Sequence, residues 1–293
     1  MDTRNIIRKD KMTSKTQIER WEKKDFAEAR SNRTGAFAPR EKELGVYEKL
    51  LKASIKGKKS PIALILGATP ELRDLAIKNG CQTIAVDVSW KTLVSLTAVM
   101  ENADDPNNRS CCYDWLETDQ IFKEKLADVV LADASLNNLK AKDHALMFRI
   151  LHQVLKDKGS FITRNLVRDK NLDDITSGKV QEAYEKNELE WSQVLIYSYF
   201  LWQEYTEIAK NEFSVGKMLE KLSAAIKSGQ FKIRKSDLWK IANVEVYGPK
   251  IVTTILPKKD FEKKAKQYFR VGKVVPTPSS SFTIAPIYRF VKV

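Results

Sequence analysis

Residues 61–71, which read Pro-Ile-Ala-Leu-Ile-Leu-Gly-Ala-Thr-Pro-Glu, decide the fold of this 293-residue chain. The apolar run Ile62–Leu66 stops at Gly67, a pattern typical of a parallel strand that is buried on both faces. Thr69-Pro-Glu71 then supplies a helix N-cap, a first-turn proline and an acidic residue. The stretch therefore predicts a strand, a loop and the start of a helix, which is the first unit of an α/β domain.

The same alternation continues as far as Val167. Further strands are predicted at Thr83–Asp87, Arg109–Tyr113, Asp128–Ala132 and Ser160–Thr163. Helices are predicted from Ser89 to about Glu101 and from Asp143 to Leu155, where apolar residues recur with helical spacing. Strands joined by helices in this way form right-handed βαβ units around a parallel sheet.

The pattern divides the chain into four segments. They are a helical cap over 1–60, an α/β core over 61–170, a mainly helical insert over 171–266 and a closing β-hairpin over 267–293. The cap contains amphipathic patterns near 16–31 and 44–55, which predict two helices. The helices of the insert are expected to break near 211–214.

Composition excludes several classes of protein. With 43% hydrophobic residues the chain can bury a substantial core. No apolar run approaches the roughly 18 residues of a membrane span, and the charged N-terminus lacks the apolar stretch of a secretory signal. Cys81, Cys111 and Cys112 are too few for a disulfide framework and lack zinc-site spacing. We therefore expect a cytoplasmic protein with reduced thiols and no metal.

The net charge of +13 is distributed unevenly. Residues 1–60 and 231–275 each carry +8, whereas residues 61–230 carry −5. Basic segments of this kind can attract nucleic acid or an anionic small molecule. Their lysines occur in pairs without interleaved aromatic or Arg-Gly residues, which is more typical of a solvated, solubilising surface. Both interpretations are open on the sequence alone.

Polar residues follow each predicted strand. Ligands of open α/β sheets bind outside the carboxyl ends of the strands, so these residues mark the expected site. They are Gly67-Ala-Thr-Pro70, Asp87-Val-Ser89, Asp114-Trp115 and Asp133-Ala-Ser-Leu-Asn137. Gly67 lets a ligand approach the backbone closely. Asp87, twenty residues further on, lies where a carboxylate can accept hydrogen bonds from both hydroxyls of a ribose.

The loops that follow the strands favour S-adenosylmethionine over a nicotinamide cofactor. The loop has one glycine, Gly67, where a dinucleotide site uses three to seat a pyrophosphate on the helix N-terminus. Glu71 places a carboxylate near that N-terminus, which suits an ammonium or sulfonium and repels a phosphate. Asp114-Trp115 offers an acceptor for an adenine amine beside an aromatic face, and Asp133–Asn137 adds polar groups at the cleft.

Four stretches resemble the class I S-adenosylmethionine-dependent methyltransferases. Leu64–Glu71, Ala85–Ser89, Asp114–Trp115 and Val130–Asn138 are similar to motif I, the acidic loop after strand two, the adenine loop and motif IV of that family. The resemblance covers residues 61–167, and the strand pair at 267–292 is similar to the family's closing antiparallel strands. It implies a doubly wound, seven-stranded Rossmann-like α/β sheet. Motif I departs from the family because it lacks the acidic-x-Gly-x-Gly form.

The resemblance also implies a site. The predicted cofactor-binding residues are Gly67, Ala68, Thr69, Asp87, Val88, Asp114, Trp115, Asp133, Ala134 and Ser135. Gly67–Thr69 would line the methionine part of S-adenosyl-L-methionine, Asp87 would hold the ribose and Asp114–Trp115 would frame the adenine. Asp133 and Ser135 would lie near the methyl donor.

Structural roles compete with these assignments. Asp133 could cap only the turn that follows it, and Trp115 could belong to the core. His144 and His152 are eight residues apart in one predicted helix, which suggests an amphipathic surface helix rather than a catalytic base. In the insert, Tyr199, Trp202 and Tyr205 can share one helix face, a pattern more often found in a core than in a substrate cage.

The predicted function is methyl transfer to a small-molecule or short-peptide acceptor. In-line transfer from a sulfonium gains most from alignment and needs a base only when the nucleophile is protonated. No catalytic residue is therefore assigned; the nearest candidates are Asp133, Ser135 and Asn137. The motif IV stretch, Val130–Asn138, lacks the Asn/Asp-Pro-Pro-aromatic run of methyltransferases that act on base amines. The insert is interpreted as a cover over the acceptor.

Two alternatives remain. The chain could be a nucleic-acid or ribonucleoprotein binder that uses its basic segments, with or without methylation. It could also be a non-enzymatic relative that binds the cofactor weakly.

Overall fold

The computed structural model describes residues 38–122, 125–169, 175–201, 211–238, 252–276 and 285–293. The strands are β1 (Ile62–Leu66), β2 (Gln82–Asp87), β3 (Asn108–Cys112), β4 (Ala127–Asp133), β5 (Leu155–Arg164), β6 (Glu212–Ser214), β7 (Val252–Thr254), β8 (Phe269–Val275) and β9 (Ile287–Lys292). The α-helices are α1 (Glu41–Ile55), α2 (Pro70–Lys78), α3 (Trp90–Thr97), α4 (Thr118–Ile121), α5 (His144–Val154), α6 (Ser177–Glu185), α7 (Trp191–Leu201), α8 (Val215–Lys227) and α9 (Lys258–Ala265). Short 3₁₀ turns occupy Trp115–Glu117, Leu136–Asn138 and Ala141–Asp143. The helix predicted near 16–31, together with Trp202 and Tyr205, lies outside the described residues.

The main sheet has seven strands in the order β3-β2-β1-β4-β5-β9-β8. Strands β1 to β5 are parallel, whereas β9 runs antiparallel between β5 and β8. The order reverses between β1 and β4, so the carboxyl ends of these two strands form the topological switch point where ligands of such sheets bind. The predicted doubly wound, seven-stranded α/β fold is confirmed.

Strand β1 shows why the sheet is covered on both faces. Leu64 and Leu66 belong to the core on the side of α5 and α9, whereas Ala63 and Ile65 belong to the core on the side of α1 and α2. All four side chains are fully buried. Burial of a leucine or isoleucine side chain is worth about 1.5–3 kcal/mol, so the apolar run fixes β1 at the centre of the sheet.

Two element boundaries differ from the sequence prediction. Strand β5 begins at Leu155 rather than Ser160. Lys158, where the sequence predicted a turn, has a left-handed backbone conformation but lies within the strand, and the pairing of β5 with β4 shifts register there. Two steps along β4, from Ala127 to Val129, face five steps along β5, from Leu155 to Ser160, so the irregularity accommodates three extra residues without ending the strand. Helix α3 ends at Thr97 rather than near Glu101, and the carboxylate of Asp74 accepts the backbone N–H groups of Glu101 and Asn102 instead.

The insert has its own hydrophobic core, built largely by α6, α7 and α8. Strands β6 and β7 form a separate two-stranded antiparallel sheet within it. Tyr199 is 3% exposed, and its ring centroid lies 5.3 Å from that of Phe213. The interpretation of Tyr199 as a core residue is therefore confirmed. No helix in the described ranges is both long enough and apolar enough to cross a membrane.

The segment before the predicted insert meets residues near position 257, ahead of α9, which packs in the main core. Arg168 and Pro257 form a parallel β-bridge. The N–H of Arg168 donates to the carbonyl of Leu256 at 2.9 Å, and the N–H of Lys258 donates to the carbonyl of Arg168 at 2.8 Å. The chain thus leaves the core and returns to it at a single backbone junction.

His144 departs from the prediction of a surface helix, which is wrong for this residue. It begins α5, is fully buried and packs edge-on against Phe261 of α9, with ring centroids 6.4 Å apart. The reason is that α9 covers the first turn of α5. Burial lowers the pKa of His144 from its ordinary 6.5 to about 4.

The core position of Tyr199 predicts a stability effect. Tyr199→Ala should reduce the free energy of unfolding by about 3–5 kcal/mol, because it leaves a cavity beside Phe213. Tyr199→Phe keeps the ring and is the matched control. Denaturant unfolding measures both, and equal stability of the alanine variant and the unchanged protein would contradict the core assignment.

The buried imidazole of His144 predicts acid sensitivity. Its folded pKa lies below the unfolded value, so the unfolded chain binds the proton more tightly between about pH 6.5 and 4. As the pH drops through that window, the free energy of unfolding should fall by up to about 3 kcal/mol, at about 1.4 kcal/mol for each pKa unit. His144→Phe retains an aromatic ring and should lose this part of the pH dependence. Identical pH profiles for the two proteins would refute the explanation.

Candidate cofactor site

The crevice at the switch point brings together the loops that follow four strands. Gly67 follows β1 and has φ +93°, a conformation that favours glycine. A Cβ added to it would lie 3.6 Å from Trp115 Cζ2, 3.9 Å from Asp87 Oδ2 and 3.9 Å from Ser135 Oγ. The structure therefore places one residue from each of the four predicted motifs around a single backbone position. The absent Cβ leaves a small cradle between them.

Asp87 is a buried carboxylate at the end of β2. Its Oδ1 accepts the backbone N–H of Ser89 at 2.9 Å. Burial raises the pKa of Asp87 to about 7, although the N–H groups of Ser89 and Val88 lower it. Within the part of the chain that the structure describes, no lysine or arginine forms an ion pair with this carboxylate. Hydroxyl donors from a ligand would therefore supply stabilisation that the protein itself does not.

Trp115 lies in the crevice and also contacts the core. Its Nε1–H donates to the carbonyl of Val86 at 2.6 Å, which fixes the indole beside Gly67. The half-buried ring packs against the core cluster on the α5 side of the sheet. The neighbouring Asp114 accepts the N–H of Leu116 at 2.9 Å, and burial raises its pKa. The two expected roles of Trp115, in the site and in the core, are compatible.

Asp133 forms a buried ion pair with Arg164, at the ends of β4 and β5. Its Oδ1 and Oδ2 accept from Nε and Nη2 of Arg164 at 2.7 and 2.9 Å, and the two side chains are 5% and 4% exposed. The hydroxyl of Tyr47, on α1, donates to the carbonyl of Ala132 at 2.6 Å and accepts the N–H of Arg164 at 2.7 Å. Because both carboxylate oxygens are engaged, Asp133 is held as a structural anion in this arrangement.

The ion pair fixes the loop that follows β4. Ala134 has φ +54°, an uncommon value for a residue with a side chain, and its N–H donates to the carbonyl of Arg164 at 2.9 Å. The hydroxyl of Ser135 donates to the carbonyl of Leu66 at 2.8 Å. The loop is thus tied to both β5 and β1, which places Ser135 at the cradle.

Asn137 joins this loop to the insert. Its Nδ2 donates to the carbonyl of Thr254 in β7 at 2.6 Å and to that of Leu166 at 3.0 Å, and its Oδ1 accepts the N–H of Leu166 at 2.9 Å. The side chain is buried, and these bonds use most of its capacity. Asn137, which the sequence suggested as a catalytic candidate, is a bridge between core and insert.

The remaining predicted residues, Ala68, Thr69 and Val88, lie in the loops that follow β1 and β2. Ala68 is 3% exposed and belongs to the core on the α1 side. Thr69 occupies the N-cap position of α2, but its side chain makes no capping hydrogen bond, contrary to the sequence prediction. Val88 is half-buried, and its carbonyl accepts a weak bond from Sγ of Cys112 at 3.5 Å.

Sequence reasoning missed two residues of this region. Arg164 ends the buried part of β5, Ser160–Arg164, and a charged residue directly after Phe161-Ile-Thr163 was a readable signal. Tyr47 gave no such signal, because it occupies an ordinary apolar position in the helical pattern of α1. In the described ranges, no three His, Cys, Asp or Glu side chains are grouped so that they could hold a metal ion.

No protein-family model and no curated protein matches the sequence. Solved structures do match the fold. A structure from Rhodobacter sphaeroides described as a candidate zinc-dependent alcohol dehydrogenase is 15% identical, over 92% of this chain and 100% of its own, with a TM-score of 0.57. The magnesium protoporphyrin IX methyltransferase of Synechocystis PCC 6803, solved with bound SAH, is 11% identical over 95% of this chain and 98% of its own, with a TM-score of 0.52. The PH0226 protein of Pyrococcus horikoshii OT3 is 13% identical over 86% of this chain and 92% of its own, also with a TM-score of 0.52.

These likenesses concern the fold, since the identities are only 11–15%. The strand order, with an antiparallel strand between β5 and the sheet edge, agrees with the resemblance noted in the sequence. The chain has the Rossmann-like fold of the class I S-adenosylmethionine-dependent methyltransferases.

The ion pair predicts how Asp133 responds to substitution. Asp133→Ala leaves the guanidinium of Arg164 buried without its partner, which should cost about 3–5 kcal/mol of unfolding free energy. The double variant Asp133→Ala/Arg164→Met removes both charges and should recover most of that loss. Thermal or denaturant unfolding of the full cycle measures the coupling. Additive losses in the double variant would show that the pair is not the source of the effect.

Proposed function

We propose that this protein is an S-adenosylmethionine-dependent methyltransferase. The observation that carries the proposal is the buried carboxylate of Asp87, which has backbone donors on one oxygen and faces the cradle at Gly67 with the other. A ribose diol fits that carboxylate because its two hydroxyls supply the donors that a desolvated anion needs. The class I fold supports the choice of cofactor.

The donors and acceptors around the cradle fit an adenosyl group better than a pyrophosphate. Asp87 is an acceptor at the cradle, the indole of Trp115 lies beside Gly67, and Asp114, the residue before Trp115, is a second acceptor. Glu71 lies in the first turn of α2, where a dinucleotide site would present a helix N-terminus to phosphate. Negative charge here would therefore repel phosphate groups, whereas it would attract a sulfonium or an ammonium. We propose the ten residues named from the sequence as the neighbourhood of the cofactor, with Asp133 in a supporting role.

When bound, S-adenosylmethionine supplies an electrophilic methyl group on a sulfonium. Asp87 and Trp115 orient the nucleoside, and the loop from Asp133 to Asn137 holds one wall of the crevice rigid through its bonds to β1, β5 and β7. Such alignment can lower a barrier by roughly 7–11 kcal/mol when the reacting atoms are well oriented. Asp133 and Asn137 are engaged in structural bonds, so we propose no general base from this loop.

The insert, residues 171–266, is proposed as the cover over the acceptor. Its β7 is bonded to Asn137 in the loop after β4, and Arg40, just before α1, forms an ion pair with Glu190 at the start of α7. These contacts bring the N-terminal cap, the core and the insert together at the carboxyl end of the sheet, where such a cover would lie. We propose a small molecule or short peptide as the acceptor. We also propose a cytoplasmic location, because the described cysteines, Cys81, Cys111 and Cys112, are thiols rather than disulfides.

The carboxylate of Asp87 predicts the pH dependence of cofactor binding. Affinity for S-adenosylmethionine should fall as the pH drops below about 7, by up to tenfold for each pH unit, because protonation removes the acceptor for one ribose hydroxyl. Asp87→Asn should weaken binding at least tenfold at about pH 8, since hydrogen bonds to charged groups are worth about 1.5–3 kcal/mol. The variant should lack the pH dependence. Isothermal titration calorimetry measures both, with NAD as the comparison ligand.

Stability supplies the control for this experiment. Asp87 has a folded pKa above its unfolded value, so ionising it in the folded protein opposes folding as the pH rises from about 4 to 7. The ligand-free Asp87→Asn variant should therefore be at least as stable as the unchanged protein at about pH 8. Binding that is equal for NAD and S-adenosylmethionine, or unaltered in a well-folded variant, would overturn the proposed cofactor. Tight binding without transfer to any acceptor would favour the non-enzymatic relative.

A further inference from the structure

The side chain of Tyr47 takes part in the hydrogen bonding between two strands of the main sheet. Its hydroxyl donates to the carbonyl of Ala132 at 2.6 Å and accepts the N–H of Arg164 at 2.7 Å. Asp133 is directly opposite Arg164 in the parallel pairing of β4 with β5, and the carbonyl of Arg164 accepts the N–H of Ala134 at 2.9 Å. In a regular parallel ladder of this register, the N–H of Arg164 donates directly to the carbonyl of Ala132. The hydroxyl thus joins the last rung before the two strands end.

The two backbone groups of this rung do not need the hydroxyl for their own hydrogen bonding. The register places them where they can bond each other, so Tyr47→Phe would leave neither group without an available partner. A buried backbone group is costly only when it is unpaired. What the hydroxyl changes is geometry, because it adds an oxygen atom with two hydrogen bonds to a rung that backbone groups could form alone. We therefore expect the hydroxyl to set the spacing of the strand ends.

Helix α1 holds this hydroxyl in place. Tyr47 and Leu51 belong to the core on the α1 side of the sheet, and the Tyr47 side chain is fully buried. One turn earlier, Glu43 is also fully buried and shares the helix face of Tyr47, because residues four apart lie on one face. Burial opposes the charge of Arg164, but the negative charges of Asp133 and Glu43 raise the pKa of its guanidinium. Packing and charge thus fix this face of α1 against the ends of β4 and β5.

The loop that forms one side of the cradle begins at the same rung. Ala134 follows directly, with φ +54°, and a strained backbone conformation of this kind persists only where the surrounding contacts enforce it. Ser135 comes next, and its Oγ lies 3.9 Å from the position of a Cβ added to Gly67. Its hydroxyl donates to the carbonyl of Leu66 at 2.8 Å. A change in the spacing of β4 and β5 at the rung is therefore transmitted to Ser135.

We propose that Tyr47 is a positioning residue for the cofactor, which sets the place of Ser135 at the cradle through the last rung of β4 and β5. The inference rests on the proposed function, because that proposal assigns the cradle to S-adenosylmethionine. Tyr47 acts through the backbone of Ala132 and Arg164 and is not assigned a contact with the cofactor. The N-terminal cap is then a part of the cofactor site as well as a cover.

A tyrosine with only a structural role makes a different prediction. Loss of its hydroxyl would lower stability and leave the ligand affinity of the folded protein unchanged. Tyr184, in α6, has such surroundings: its hydroxyl donates to Oδ2 of Asp237 at 2.5 Å and accepts from Nε of Arg234 at 3.0 Å. It belongs to the hydrophobic core of the insert rather than to that of the main sheet. Tyr184→Phe also removes a buried hydroxyl that both donates and accepts, and it is the matched control.

Calorimetry with S-adenosylmethionine and hydrogen–deuterium exchange of the ligand-free protein test the proposal on the full chain. Both are measured at a temperature at which thermal melts show each variant to be folded. Tyr47→Phe should weaken binding by about fivefold to tenfold, the equivalent of one well-placed hydrogen bond. The peptide that contains Ala134–Asn138 should exchange faster, because the left-handed Ala134 loses part of its support. Tyr184→Phe should change neither quantity.

Other outcomes contradict the proposal. Unaltered affinity in folded Tyr47→Phe would make Tyr47 an ordinary core residue, and weaker binding without faster exchange would show that the loop is not the route. Equal effects of Tyr184→Phe would attribute the changes to lost stability. A Tyr47→Phe chain that fails to fold would show that the rung cannot close alone, which also overturns the positioning role. If the unchanged protein binds no S-adenosylmethionine, the proposed function fails instead, while exchange in the ligand-free proteins still decides whether Tyr47 holds the loop.

Discussion

The buried pair of Asp133 and Arg164 is the interaction on which the architecture of the crevice depends. It closes the ends of β4 and β5 against each other, and Tyr47 extends the contact to α1. Removing both charges from water is costly, and the pair is tolerated because its hydrogen bonds are bidentate and complete. What the pair provides is position: the following residue, Ala134, is held in a left-handed conformation that a loosely packed loop would not keep.

Two carboxylates of the resulting crevice lie in opposite electrostatic environments. Asp133 has a guanidinium partner, whereas among the described residues the partners of Asp87 are backbone N–H groups, and burial raises the pKa of Asp87 to about 7. The ion pair of Asp133 serves the fold, whereas the buried carboxylate of Asp87 is the group that our proposal assigns to a ligand. The same contrast separates Asn137, whose amide is fully engaged, from Gly67, whose missing side chain leaves space.

Much of the fold was readable from the sequence because it depends on local pattern. The apolar run of β1 occupies the predicted residues, and the parallel strands follow in the predicted order, since burial on both faces demands continuous apolar segments. The four loops converge as expected because carboxyl ends of parallel strands meet at one edge. The partners of individual polar groups were not readable. Nothing local indicates that Asp133 would meet Arg164, thirty-one residues away, or that Asn137 would reach Thr254, because those contacts depend on side-chain direction across the sheet.

The junction between Arg168 and Pro257 has a consequence for how this protein can vary. Because the chain leaves and re-enters the core at adjacent backbone positions, the intervening residues form a cassette whose removal would leave a gap short enough for a tight turn. Among the described residues, the hydrophobic interior of this segment is largely its own, and the buried side chain of Asn137 reaches its backbone from the core. Evolution or an engineer can therefore exchange the cassette for another without redesigning the sheet, provided that the replacement presents a carbonyl to that one amide.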